Sequence, residues 1–443
     1  MRLSMLRFMK KFICLLILVG ACGSSHAFTL LGTNAGWQIP RLGYALGGDI
    51  GGPMNLGEEY RWNIPTIYYA FDNSFLDYFG AKGVEEVRKA IAILNALPRM
   101  SQADLSQFPT DTERKNRRAQ ALNLLDLKSA TLGALAEELG LGDAPRYVFT
   151  LRSVIDVPVA CNGFFIIKRN FDPVTLTPSS YINGALWTYV DIFCDTVLAF
   201  PINTRVDPLS YGEPVASFFG RFSGFGVGSH FSGLTRDDVG GLKYIYQAGN
   251  HNFESVLPDV TGSSGTAWGL PGGTNNFLNP ALRPGIDKLN FVMTEFDSLL
   301  GEFFTPFTNT YTEQVFTNRL TVTQTLRRAV LLPDIIFDAQ DLGGAVFART
   351  LNWTNNPVFN GAVNPGPGII APVMFITYNN TGPLVFNFPN FFLDERNSIP
   401  VFTWGSFDGT TNAPVVYPFG TSIMELESKI LGAGIQNPWR IPQ

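Results

Sequence analysis

The sequence predicts an α+β protein: a mixed sheet with helices, followed by a C-terminal all-β, sandwich-like region. Three observations carry that expectation. Apolar residues recur at helical spacing in "GVEEVRKAIAILNALP" and "LTRDDVGGLKYIY", short β-branched and aromatic runs fill much of the rest, and a Gly/Asn/Pro-rich stretch separates two halves. The expected organisation is an N-terminal signal over 1–27, an α+β domain over 28–250, a linker over 251–317 and a β-sandwich-like domain over 318–443. A chain of 443 residues, 45% hydrophobic and 16% charged with 37 Phe, is a packed protein rather than a disordered one.

In order, Arg2, Arg7, Lys10 and Lys11 precede a short apolar run, which reads as an export signal. The run is too short to cross a bilayer, and no later segment reaches about 18 uninterrupted apolar residues. Two processing patterns compete. Ser25-His26-Ala27 suits cleavage before Phe28, whereas "LVGAC" is similar to a bacterial lipobox with Cys22 as the residue to be lipidated. The expected location is therefore extracellular, periplasmic or, with a lipid on Cys22, the outer membrane. Cys161 and Cys194 are then the cysteines of the exported body, and in an oxidising compartment they most simply pair, a bridge worth ~3–4 kcal/mol.

"TIYYAF" at 66–71 is a strand, because β-branched and aromatic residues lie between Pro65 and Asp72. Val84, Val87, Ile91 and Leu94 form one apolar helix face that leaves Glu85, Glu86, Arg88 and Lys89 to solvent. Residues 109–142 read as helical up to the stop signals Gly140 and Gly142, with Arg114, Lys115, Arg117 and Arg118 on a solvated face. "RYVFTL", "GFFIIKR" and "ALWTYVDIF" are strands, and 201–231 is loop-like. Thr235 caps the next helix, with Asp237 and Asp238 in its first turn and Val239, Leu242, Ile245 and Tyr246 as its buried stripe. A short helix is expected around "FVMTEFDSLLGEFF". Beyond 318, seven short apolar stretches from "LTVTQTL" to "PVVYP" suggest the sandwich, and "SIMELESKIL" a closing helix.

"RWNIPTIYYAFDNSF" with "GVEEVRKAIAILNAL", and "LTRDDVGGLKYIY" after them, resemble the opening and the closing helix of matrixin-type metallopeptidases of the metzincin group. That resemblance spans 61–246 and implies a matrixin-like fold. The family's chemistry lies in HExxHxxGxxH and a Met-turn, and neither is present. Only three His occur in the chain, and between Gly140 and Asn250 there are one His, one Glu and no Met. Zinc hydrolysis needs three ligands and a carboxylate to activate metal-bound water.

The remaining candidates are sparse. His230 and His251 are the weak ligands for a zinc peptidase with non-standard coordination. Asp191 with Asp195, or Asp207 with Glu213, supply the two carboxyls that a glycoside hydrolase needs. Trp404, Phe407 and Tyr417, in "WGSFDGTTNAPVVYPFG", are candidate aromatics for a glycan or peptide surface, although aromatics at strand ends more often belong to the core. There is no GxSxG elbow, GxGxxG or Walker loop, so the sequence implies no cofactor. A net charge of -5 gives no footprint for nucleic acid. The reading is an exported binding or structural protein on a peptidase-like frame that has lost its site, with an unknown polymer or protein as partner.

Overall fold

The structure, a computed structural model, describes residues 26–157, 160–218, 226–262, 278–300, 303–317, 320–342, 345–355, 366–380 and 403–432. Its centre is a five-stranded sheet in the order Asn290–Met293, Thr66–Phe71, Ile335–Gln340, Met374–Asn379, Phe347–Arg349. The first four strands are parallel and the last is antiparallel. The fold is mixed α+β, as the sequence indicates.

One face of this sheet is covered by the helix Asn73–Asn95. Asp72 caps it, accepting from Ser74 N at 2.6 Å, and Phe75, Tyr78, Phe79, Val87, Ala90, Ile91 and Leu94 are buried. Phe75 packs on Phe71, Phe337 and Tyr378, so the aromatic stripe of the first two turns reaches across three strands. The helix starts ten residues before the expected 83–98 segment. Gly80 sits at φ 59 and breaks the helical geometry between the two parts. A Cβ there would lie 3.1 Å from the Phe419 ring, which fills the notch.

Behind that helix lies Leu127–Glu138, buried on nearly every side. Burial all round removes the amphipathic period that marks surface helices. Gly140 ends it at φ 98, and a Cβ would stand 2.5 Å from Tyr60 O, so the close approach needs glycine. Trp62 Nε1 donates to Glu138 O at 3.0 Å, Tyr246 OH to Leu139 O at 2.9 Å and Leu31 N to Gly140 O at 2.8 Å, which satisfies the helix's last carbonyls.

A second, antiparallel sheet has the order His251–Glu254, Ala281–Pro284, Phe307–Thr317, Leu320–Val330, Val260–Gly262. Two buried arginines, Arg61 and Arg328, bind it to the centre, and a third, Arg283, is held within it. Arg61 donates to Glu254 Oε1 at 2.7 Å and to Arg283 O at 3.0 Å. Arg283 pairs with Glu313 at 3.1 Å, and Arg328 spans Asp259 at 2.8 Å and Asp334, whose Oδ2 accepts from Tyr68 N at 2.7 Å. Each cation is desolvated but matched by carboxylates and carbonyls, the condition under which buried charge is tolerated.

These pairings correct the expected division at 250 and 318. Thr66–Phe71 finds both its neighbours beyond residue 285. Tyr60–Arg61 pairs in parallel with Gly368–Ala371, and Leu124–Asp126 with Thr403–Ser406. One apolar core runs from Phe28 to Tyr417. The stretch read as a linker supplies five strands, and of those read as a sandwich Ile335–Gln340 and Met374–Asn379 join a parallel sheet with Thr66–Phe71 while Leu320–Val330 joins the antiparallel one. Composition marks local turns, but strand partners are chosen by packing between distant segments.

Several local expectations also change. Over 109–126 the chain forms the strand Glu113–Lys115, the short helix Arg117–Ala121 and the strand Leu124–Asp126 instead of a helix. The strand expected at 146–151 begins only at Thr150, after the helical turn Ala144–Tyr147 capped by Asp143. The loop-like 201–231 contains most of the strand Ala199–Arg205, and the helix expected near 291 is the strand Asn290–Met293. "PLVFNF" lies outside the described residues. The closing helix is present at Ile423–Gly432.

Candidate functional site

The helix Arg236–Tyr246 is entered through a polar clamp. Thr235 Oγ1 accepts from Asp238 N, and the Asp238 carboxylate accepts in return from Thr235 N at 2.9 Å, a capping box with Asp in the acidic position. Asp238 also accepts from Val215 N at 3.0 Å and Ala216 N at 3.2 Å. Asp237 Oδ2 accepts from Ala27 N at 2.9 Å and from Asn183 N, while its Oδ1 lies 3.2 Å from Nδ1 of His26. Asn183 donates its side-chain amide to Gly212 O and Thr235 Oγ1 and accepts from Asp237 N. Burial pushes both carboxyls above the usual aspartate range, and these donors pull them back. The two acids read as first-turn dipole residues are in fact buried anchors. They tie the helix to residues 26–27, to 183 and to 215–216.

Gly240 and Gly241 serve the same packing. A Cβ on Gly240 would come within 2.7 Å of Pro173, and on Gly241 within 2.5 Å of Leu141. In "LTRDDVGG" the side chains of Thr235, Asp237 and Asp238 are spent on structure.

The residues singled out for chemistry are dispersed. His230 lies in the strand Ser229–Phe231, which pairs with Glu113–Lys115, and its ring stands edge-on to Phe407 at 6.0 Å. Burial, with Lys128 nearby, lowers its pKa, which favours a neutral imidazole. His251 is exposed at the start of the second sheet, with Nδ1 2.9 Å from Gly249 O and its ring against Phe316. Among the described residues no group of three or more His, Cys, Asp or Glu is placed to hold a metal ion. The non-standard zinc site expected of His230 and His251 is not assembled from them, because they belong to different sheets.

The carboxylate pairs are turn and ion-pair residues. Asp191 Oδ1 accepts from Ile192 N at 2.8 Å beside a bulge. Asp195 accepts from Val197 N and Leu198 N at 2.6 and 2.7 Å, which lowers its pKa. Asp207 accepts from Leu209 N at 2.9 Å, and Glu213 pairs with Arg205. These are Asx-type turns and one local ion pair rather than two acids facing a cleft. Trp404, Phe407 and Tyr417 are buried, not presented. Trp404 packs on Tyr378 at 5.1 Å, Tyr417 on Phe79 at 4.9 Å with its OH 2.8 Å from Ser406 Oγ. Cys22 and the side chain of Cys161 lie outside the described residues, whereas Cys194 ends the strand Ala185–Cys194 with its Sγ 3.9 Å from Arg41 Nη2.

A surface that the sequence did not reveal lies between 150 and 211. Two antiparallel hairpins, Thr150–Val157 with Ala160–Ile167 and Ala185–Cys194 with Ala199–Arg205, share a small core of Leu42, Tyr44, Tyr147, Leu151, Ile192 and Ala199. Ala185 and Trp187 pack into a second small cluster, but Ile155, Phe165, Val190 and, in the connecting turn, Val197 are each at least 60% exposed, as are Leu209 and Tyr211 just beyond the last strand. Of 24 large apolar side chains exposed among the described residues, 12 fall between Ile155 and Tyr211. Such a concentration marks a contact surface, whereas isolated exposed apolar residues need no explanation. The signal in the sequence was "GFFII", apolar on both strand faces, which reads equally as a buried strand.

Comparison with protein-family models, with curated proteins and with solved structures returns no match. Among the described residues no helix is long and apolar enough to cross a membrane.

Proposed function

We propose that the chain is an exported binding or structural protein of the cell envelope or extracellular space, acting without catalysis on a polymer or protein partner. The observation that carries this reading is the crowding of exposed apolar side chains onto the two hairpins and the loops beside them, between Ile155 and Tyr211. It is supported by the use of Thr235, Asp237, Asp238 and Asn183 as folding contacts, which leaves the peptidase-like motif with a structural part to play. Export rests on the charged and apolar N-terminal run, and a Cys161–Cys194 bridge belongs to the same reading. Kinship with matrixin-type domains rests on the two quoted motifs alone, and it would describe the ancestry of the helix entry rather than an activity.

The test is direct. Purified native protein is expected to bind an apolar fluorescent probe, and replacement of Ile155, Phe165, Val190 and Tyr211 by Ser to abolish most of that binding at unchanged melting temperature. Equal probe binding by the variant removes the surface between Ile155 and Tyr211 from the proposal. Stoichiometric zinc on elemental analysis, with proteolysis lost to a chelator, would replace it by a peptidase.

A further inference from the structure

His26 and Ala27 are fully built into the domain. Both are buried, at 1% and 0% exposure, beside the helix entry. Ala27 N supplies one of the two backbone N–H bonds to Asp237 Oδ2, His26 Nδ1 is the close polar neighbour of Oδ1, and His26 N reaches Asp172 at 3.5 Å. The regular strand begins one residue later, at Phe28, paired with Phe171. Cleavage between Ala27 and Phe28 would discard the imidazole and the Ala27 N–H together. Asp237, 1% exposed, would keep Asn183 as its backbone donor, and a buried carboxylate stripped of partners is costly.

We propose that His26 and Ala27 remain in the mature protein, so that processing falls on the N-terminal side of His26 and leaves the Asp237 clamp whole. This rests on the export reading above. The step is hydrolysis of one peptide bond upstream of His26, with water supplying the hydroxyl of the released carboxyl end and the proton of the new amine. Of the two processing patterns in the sequence, a cut between Ala21 and Cys22 keeps both residues, and a cut after Ala27 keeps neither.

Intact mass and N-terminal sequencing of the protein recovered from an exporting cell decide the point. A first residue anywhere from 22 to 26 is the expected result. A chain starting at Phe28 overturns the proposal and leaves export standing, whereas a chain starting at Met1 overturns both. Folding is tested separately with two chains, one beginning at His26 and one at Phe28. The shorter is expected to unfold with an equilibrium constant ~10-fold or more higher at fixed denaturant. Asp237→Asn is expected to weaken the longer chain and strengthen the shorter one. Equal midpoints for the two lengths, or the same sign of effect in both, overturn the proposal.

Discussion

The buried helix Leu127–Glu138 with its surroundings and the hairpin region 150–211 invert the usual distribution of side chains in opposite ways. Around the helix, polar and charged groups are buried: Asp126, Glu137, Glu138, Asp237, Asp238 and Arg61 all lie within the fold. In the hairpins, Phe165, Ile155 and Val190 stand in water. Most buried groups of the first region are occupied by N–H donors or counter-charges, so they hold elements together. The exposed groups of the second region have nothing over them among the described residues, so they are free to meet another molecule. A buried polar cluster and an exposed apolar cluster are both departures from the rule, but only the second is a surface.

The contrast can be broken most sharply at Arg61. Arg61→Ala strands Glu254 and three backbone carbonyls inside the protein, and the expected loss is ~3–5 kcal/mol by urea denaturation. Arg61→Lys is expected to recover only part of it, since an ammonium cannot reproduce the planar fork.

The next effect is on pH dependence. Burial raises the Asp126 carboxyl from 3.8 to about 6, and raises Glu138 well above its ordinary 4.5. A raised carboxyl stabilises the fold as the neutral acid, so its contribution is complete below the ordinary value and lost as pH climbs through the folded one. For Asp126 that window is 3.8 to about 6. Asp126→Asn, which keeps the acceptor for Ser129 N, is expected to exceed wild type by ~1–3 kcal/mol above this window and to flatten the stability profile across it. Glu138→Gln is expected to act in the same direction, since both Glu138 oxygens are buried without a hydrogen-bond donor among the described residues. A wild-type stability that rises from pH 4 to pH 7, unchanged by either substitution, would contradict this account.

Thr235→Ala removes the cap of Arg236–Tyr246 and is expected to cost ~1 kcal/mol, read as a shift in denaturation midpoint. The smallest effect belongs to the hairpins. Phe165→Ser and Ile155→Ser are expected to change stability by less than ~0.5 kcal/mol while lowering apolar-probe binding. A loss comparable to that of Thr235→Ala would mean that the hairpins are packed in the working protein and would erase the contrast.

How much was legible follows from the range of each interaction. Thr66–Phe71, the second part of Asn73–Asn95, the helix Arg236–Tyr246 and its Thr235 cap depend on residues within a turn or a strand of one another, and the sequence marks them. The hidden helix Leu127–Glu138 was found by its stop glycines rather than by period, because a helix buried on all sides has no polar face to alternate with. Of the candidate site residues, Trp404 and Tyr417 prove to be core aromatics, the commoner case for an aromatic at a strand end, which looks the same in sequence whether it faces solvent or Phe79.

By itself the sequence determined the α+β composition of the chain, its local helix starts and stops, and the absence of a zinc-peptidase motif. Only the tertiary structure decided that Thr66–Phe71 sits between strands from residues 290 and 335, that Asp237 holds Ala27, and that the region from Ile155 to Tyr211 leaves many apolar side chains outside. The reason is physical. Hydrogen bonds and dihedral preferences act over a few residues and are written in local order, whereas strand partners and burial are settled by which distant surfaces exclude water together.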